Sequence, residues 1–367
     1  MAERILQDPY ASDISRDNLF DFIRLFAASA VVVQHGVNLL DERFLWHGSS
    51  DNYWFFDGVS MFFVMSGLFV YRSAERTFSS TGNWLDYCRN RFLRVAPAIY
   101  VYVVVVVVVM MCIGAINWRD MINLDVFAWL VGCLFLLPGH DPSAFASFGT
   151  GILNGSLWTI PVEVSFYALA PVLVALAHRY GFHRMLVALT PIAIVGPIVV
   201  HLVGGVFENL LHHTFIEYLS CFAAGILLSG IWHRIPRHWS FFVAAVAAYI
   251  AVIAFTPPEI SAVLDPLVIL APLAFATIWF GFYGPQVFRL ITDRIGDISF
   301  GTYIWHWPLI NLFIWFDWTS GQLTVLALLF ASWCMGFLSW RVIERPAMRL
   351  KRVSARSPVG GSCQALR

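Results

Sequence analysis

Between Leu19 and Leu40 the chain carries about twenty mostly apolar residues, interrupted by Asp21, Arg24, Gln34 and His35. Arg24 and His35 are eleven residues apart. At about 1.5 Å and 100° per residue, a helix sets them on one face roughly 16 Å apart. A second face would carry Thr159, Glu163 and Tyr167 at four-residue steps. A third would carry Ser299, Tyr303 and His306. Arg91 and Arg94 also share a face, and Arg72 closes the apolar stretch before them. An imidazole titrating near neutrality can take a proton or carry a transferred group. Arginine forks suit phosphate oxygens. The plainer alternatives are a packed His35 bonded to a carbonyl, and arginines that only anchor helix ends at a membrane surface.

The elements that must position these groups are helices in a bilayer. Of 367 residues, 59% are hydrophobic and 13% charged, with mean hydropathy +0.71. A soluble domain carries about 25% charged residues. The apolar runs come as helix-length blocks and not as the alternation of a membrane barrel. An ionisable group inside such a block is costly unless it faces protein or a wet cavity. Formal net charge is zero, which points to no nucleic-acid partner. The six cysteines are scattered, and no His/Cys spacing suits a metal. His201, Glu208, His212 and His213 border one turn, but their spacing fits no standard metal site, and a solvated surface is the better reading. Pro257, Pro258 and Pro266 mark another turn, with Asp265 at its edge. Lys351 is the only lysine.

Eleven apolar blocks fall near 19–40, 55–71, 92–114, 124–138, 157–177, 185–203, 214–230, 239–255, 263–282, 297–316 and 322–343. Arginine-rich and arginine-poor connections alternate if the short block 124–138 does not cross. The expectation is an all-α, polytopic bundle of about ten transmembrane helices plus one short, partly inserted helix. Both termini would be cytoplasmic and 115–156 external. The run Val101 to Val109, broken by Tyr102, reads as a lipid-facing surface. Residues 1–346 form one membrane domain, and 347–367 read as a disordered cytoplasmic tail.

Five segments in order are similar to the acyltransferase family 3 membrane proteins. The first is Arg24 and His35 with ten residues between them. The second is Gly58, Val59, Phe62, Phe63, Ser66 and Gly67, where Ser60 stands in place of the family's usual acid. The third is Arg91 and Arg94 with Pro97 close behind. The fourth is Ser156, Leu157, Trp158, Glu163, Phe166, Tyr167 and Pro171. The fifth is Gly296, Ser299, Tyr303, His306, Trp307 and Pro308, followed at the end by Glu344, Arg345 and Pro346.

The resemblance implies an inner-membrane enzyme that moves an acyl group, usually acetyl, onto a hydroxyl of a sugar or polysaccharide. It implies acetyl-CoA as donor and no metal. His35, Glu163 and His306 are the candidate catalytic residues, converging in one cavity above Arg24. Arg24, Arg72, Arg91 and Arg94 are candidates for holding the donor. Tyr167, Tyr303 and Ser299 are candidates for binding substrate. A proton-coupled transporter or flippase is the alternative for buried His, Glu and Arg on about ten helices. Against it stands the lack of any internal repeat.

Overall fold

The computed structural model describes residues 17–40, 57–80, 82–139, 141–203, 214–255, 269–319 and 322–351. The turns bearing Glu208, His212 and His213, and Pro257, Pro258, Asp265 and Pro266, lie outside them, as do residues 352–367 and the side chain of His201. The helices are α1 (Phe20–Leu40), α2 (Gly58–Ser80), α3 (Trp84–Cys112), α4 (Leu124–Leu134), α5 (Thr159–Tyr180) and α6 (Phe182–Val203). They continue as α7 (Leu219–Ile231), α8 (Trp239–Phe255), α9 (Leu270–Tyr283), α10 (Arg289–Ile295), α11 (Ser299–Trp315), α12 (Gln322–Ser339) and α13 (Arg345–Arg349). A π-helical turn, Trp340–Glu344, joins the last two.

No strand occurs among the described residues, so the all-α expectation holds. Five stretches are long and apolar enough to cross a membrane: Phe20–Leu40, Trp84–Cys112, Thr159–Tyr180, Phe182–Val200 and Leu323–Arg349. Leu124–Leu134, Trp239–Phe255 and Leu270–Tyr283 are apolar but shorter, so length and composition support five of the roughly ten expected crossings. α4 is only about 16 Å long, half the apolar thickness of a bilayer.

Helix ends depart from the apolar blocks where polar residues cap them. The Asn18 carboxamide oxygen accepts from the Phe20 N–H at 3.1 Å and starts α1. Asn83 does the same for α3, which therefore begins eight residues before its apolar block. Asp57 accepts from the N–H groups of Val59 and Ser60, both at 3.0 Å, and from the Ser60 hydroxyl. The final helix runs to Arg349, so its last three residues fall within the expected tail. The valine run of α3 is lipid-facing on one side only. Val104 and Val108 are exposed, while Tyr102, Val103 and Val106 are buried.

α11 is the axis of the bundle, with buried residues on all its faces. α1 packs against α2, α11 and α12, and α2 packs against α5 and α7. At the α2–α7 crossing a Cβ on Gly67 would lie 2.1 Å from the Phe222 carbonyl oxygen, and one on Gly225 would lie 2.0 Å from that of Val64. Only glycine permits that backbone approach.

Candidate active site

Two helix prolines decide where polar groups cross between helices. Pro308 has no N–H, so the carbonyl of Ile304, four residues back, lacks its helical donor. The Asn154 amide supplies one at 3.0 Å. Pro171 likewise frees the carbonyl of Tyr167, and the Tyr87 hydroxyl donates to it at 3.0 Å. The chain before α5 is stitched to α11 by further bonds. Trp307 Nε1 donates to the Ile152 carbonyl at 3.0 Å. Asn311 Nδ2 donates to the same carbonyl at 2.9 Å. The Tyr303 hydroxyl donates to the Ser156 carbonyl at 2.9 Å and lies 3.0 Å from the Thr159 hydroxyl. Ile152, Asn154, Ser156 and Thr159 thus fix the helix that carries His306.

His306 is fully buried, and its ring meets His35 with Nδ1 of His35 2.8 Å from Nε2 of His306. The Nδ1 of His306 lies 2.6 Å from the Tyr303 carbonyl oxygen. A carbonyl only accepts, so this nitrogen carries the proton. For a pair of neutral rings the rest follows. The Nε2 of His306 accepts from His35 Nδ1–H, and the Nε2 of His35 keeps its lone pair. His35 is half-buried, and the Trp307 ring stands edge-on to it at 4.9 Å between centroids.

Next to the histidines lies a cavity of about 370 Å³. Arg24, Arg91, Arg94, Glu163, Tyr167, Ser299 and Tyr303 all line it, seven of the residues singled out from the sequence. Tyr303 belongs to both parts: its phenol faces the cavity, and its carbonyl holds His306. The expected cavity therefore takes in Arg24 and Glu163 but not the two histidines, which lie beside it. Neither His35 nor His306 is among the cavity-lining residues. Glu163 accepts a hydrogen bond from the Tyr167 hydroxyl. The hydrogen-bond partner of His35 is His306. Arg72 lies apart from the cavity, buried in α2, and donates to the Ser229 carbonyl at 2.9 Å.

Asp297 is the residue that sequence reasoning missed. It accepts from Arg94 at 2.6 Å, lies 3.7 Å from Arg24, and accepts from the Ser299 hydroxyl at 2.5 Å. Burial works to raise its carboxyl, but Arg94 and Arg24 outweigh burial and hold it well below the usual carboxylate range. Arg24 also pairs with Asp21 at 2.6 Å and lies over the Phe69 ring at 4.7 Å. Arg91 instead sits against the faces of Tyr87 and Tyr167, 5.6 and 5.5 Å from their centroids. The only signal in the sequence was an acid placed just before a helix whose start must meet arginines. Among the described residues no cluster of His, Cys, Asp and Glu could hold a metal ion.

A family model described as an acyltransferase domain matches residues 17–343. A nodulation protein of Rhizobium leguminosarum bv. viciae, named Nodulation protein 10, is 26% identical over 362 residues, covering 91% of this chain and 94% of its own. An O-acetyl transferase of Shigella phage Sf6 is 26% identical over 190 residues, covering 50% of this chain and 54% of its own. No solved structure matches.

Proposed function

The chain belongs to the acyltransferase family that this model describes, and we propose that it moves an acetyl group from acetyl-CoA to a hydroxyl of a sugar or polysaccharide. It is an acyltransferase and its helices are those of a membrane protein. The observation that carries the reading is the histidine pair, with one ring buried and anchored and the other half-buried, its Nε2 without a hydrogen-bond partner among the described residues. In this reading His35 Nε2 takes the proton of the acceptor hydroxyl. The hydroxyl oxygen attacks the thioester carbon, the C–S bond breaks, and the departing thiolate takes up the proton. His306 holds the ring in the tautomer this requires, the role a carboxylate plays in hydrolase triads. Glu163 and Tyr167 line the donor cavity.

The arginine end of the cavity faces the cytoplasm in this reading, where acetyl-CoA resides. Guanidinium groups suit its phosphates. The acceptor reaches His35 from the opposite side of an inner membrane. The name of the Shigella phage relative, an O-acetyl transferase, supports the oxygen acceptor and the acetyl group. Membranes containing the protein should release free CoA thiol from acetyl-CoA, and glycans from those cells should carry ester-linked acetyl groups. A protein that moves glycan across vesicle membranes with no thiol released would instead be a carrier.

A further inference from the structure

The cavity is lined by four cationic side chains, Arg24, Arg91, Arg94 and Lys351, and by three acidic ones, Asp21, Glu163 and Asp297. Their pairing is unequal. Asp297 and Asp21 engage Arg24 and Arg94, and Glu163 is taken by Tyr167. Among the described residues Arg91 and Lys351 have no ion pair. The Nε of Arg91 is buried with no hydrogen-bond partner there. A guanidinium and an ammonium that share one cavity, neither within ion-pair distance of a described carboxylate, suit an anion from outside.

Lys351 reaches this place through the end of the chain's last helical run. The π turn Trp340–Glu344 precedes Pro346, which cannot complete a regular helical bond. α13 then packs against α3, the helix of Arg91 and Arg94. Trp340, Met348 and Lys351 close the arginine end of the cavity.

We propose that Lys351, the only lysine of the chain, works with Arg91 as the subsite for the donor's phosphate groups, while Asp297 keeps Arg24 and Arg94 as its frame. The assignment rests on the acyl-CoA reading given above. The arginines then have different roles. Arg24 and Arg94 hold the shape of the cavity, and Arg91 binds the donor together with a lysine outside the segments that resemble the family. The thioester end of the donor points along the cavity toward Tyr303 and the histidines.

The test compares acetyl-CoA with S-acetylpantetheine, which has the thioester and lacks the adenosine phosphates. Lys351→Gln should raise the KM for acetyl-CoA roughly tenfold, the size of one charge-assisted contact. The KM for acetylpantetheine should be unchanged, and Lys351→Arg should stay near wild type on both. An equal rise on both donors, or no rise on either, overturns the assignment while leaving the enzyme reading intact. Wild-type protein inert toward both donors is the distinct failure of that reading.

Binding is measured separately in the full-length protein. Pyridoxal phosphate with borohydride should modify Lys351, and CoA should protect it while pantetheine should not. Absence of protection by CoA, or protection by phosphatidylglycerol vesicles in its place, would show that Lys351 is not a donor ligand.

Discussion

His306 and His35 differ in what surrounds them, and that difference assigns their roles. His306 is fully buried and bonded on both nitrogens, so it has nothing left to offer a substrate. His306→Ala should lower the transfer rate on the order of 10²-fold, the lower range for loss of positioned acid–base catalysis. The KM for acetyl-CoA should not change, because His306 does not line the donor cavity. His306→Gln, whose amide oxygen can accept from His35, should recover part of the rate. Lys351 adds a pH dependence. Burial pushes its ammonium down to about 7, with Arg94, Arg91 and Arg24 adding to the effect and Asp297 opposing it. Asp21 faces the same cavity. The charged form binds the anionic donor, so KM should rise as pH increases through about 7, and Lys351→Arg should flatten that rise. Arg24, His35 and Glu163 were legible in the sequence because a bilayer makes such groups conspicuous. Asp297 and Lys351 were not, because a charge at the water boundary is ordinary until the fold sets it over Arg94 or into a cavity.

At the scale of elements, apolar block length located every long helix, and capping residues moved the ends. The polar opening of α3, with Asn83 and Asp86, is invisible to hydropathy but brings Arg91 to the cavity against the Tyr87 ring. The prolines at 171 and 308 lie inside helices, and each frees a carbonyl that a neighbouring element uses. The Gly67–Gly225 crossing shows why small residues recur in α2. Gly67→Ala should force α2 and α7 apart and cost roughly 1–3 kcal/mol, the usual range for overpacking. Thermal unfolding of the detergent-solubilised protein measures this, and an unchanged midpoint would mean the crossing relaxes freely.

For the whole molecule, the pairing of α1 with α11 brings together residues 271 positions apart. No periodicity or charge count reports which helices meet, so the convergence of His35 with His306 was an inference from membrane cost, and the expected cavity was right in most of its lining but wrong in including the histidines. Orientation across the membrane belongs to this scale. The arginine pattern predicts 72–90 on the cytoplasmic side and 115–156 outside. Ser147→Cys should react with an impermeant thiol reagent in intact cells and Ser79→Cys should not. The reverse pattern would put the donor cavity on the side without acetyl-CoA.

The central claim is that His35 is the base at which acyl transfer occurs. It is tested by acetyl-CoA-dependent thiol release and acceptor acylation in membranes carrying His35→Ala, with the amount of protein matched to wild type. The arrangement around His35 Nε2 predicts that both signals fall to background while Lys351 remains protected by CoA. Wild-type rates of both in His35→Ala would contradict it.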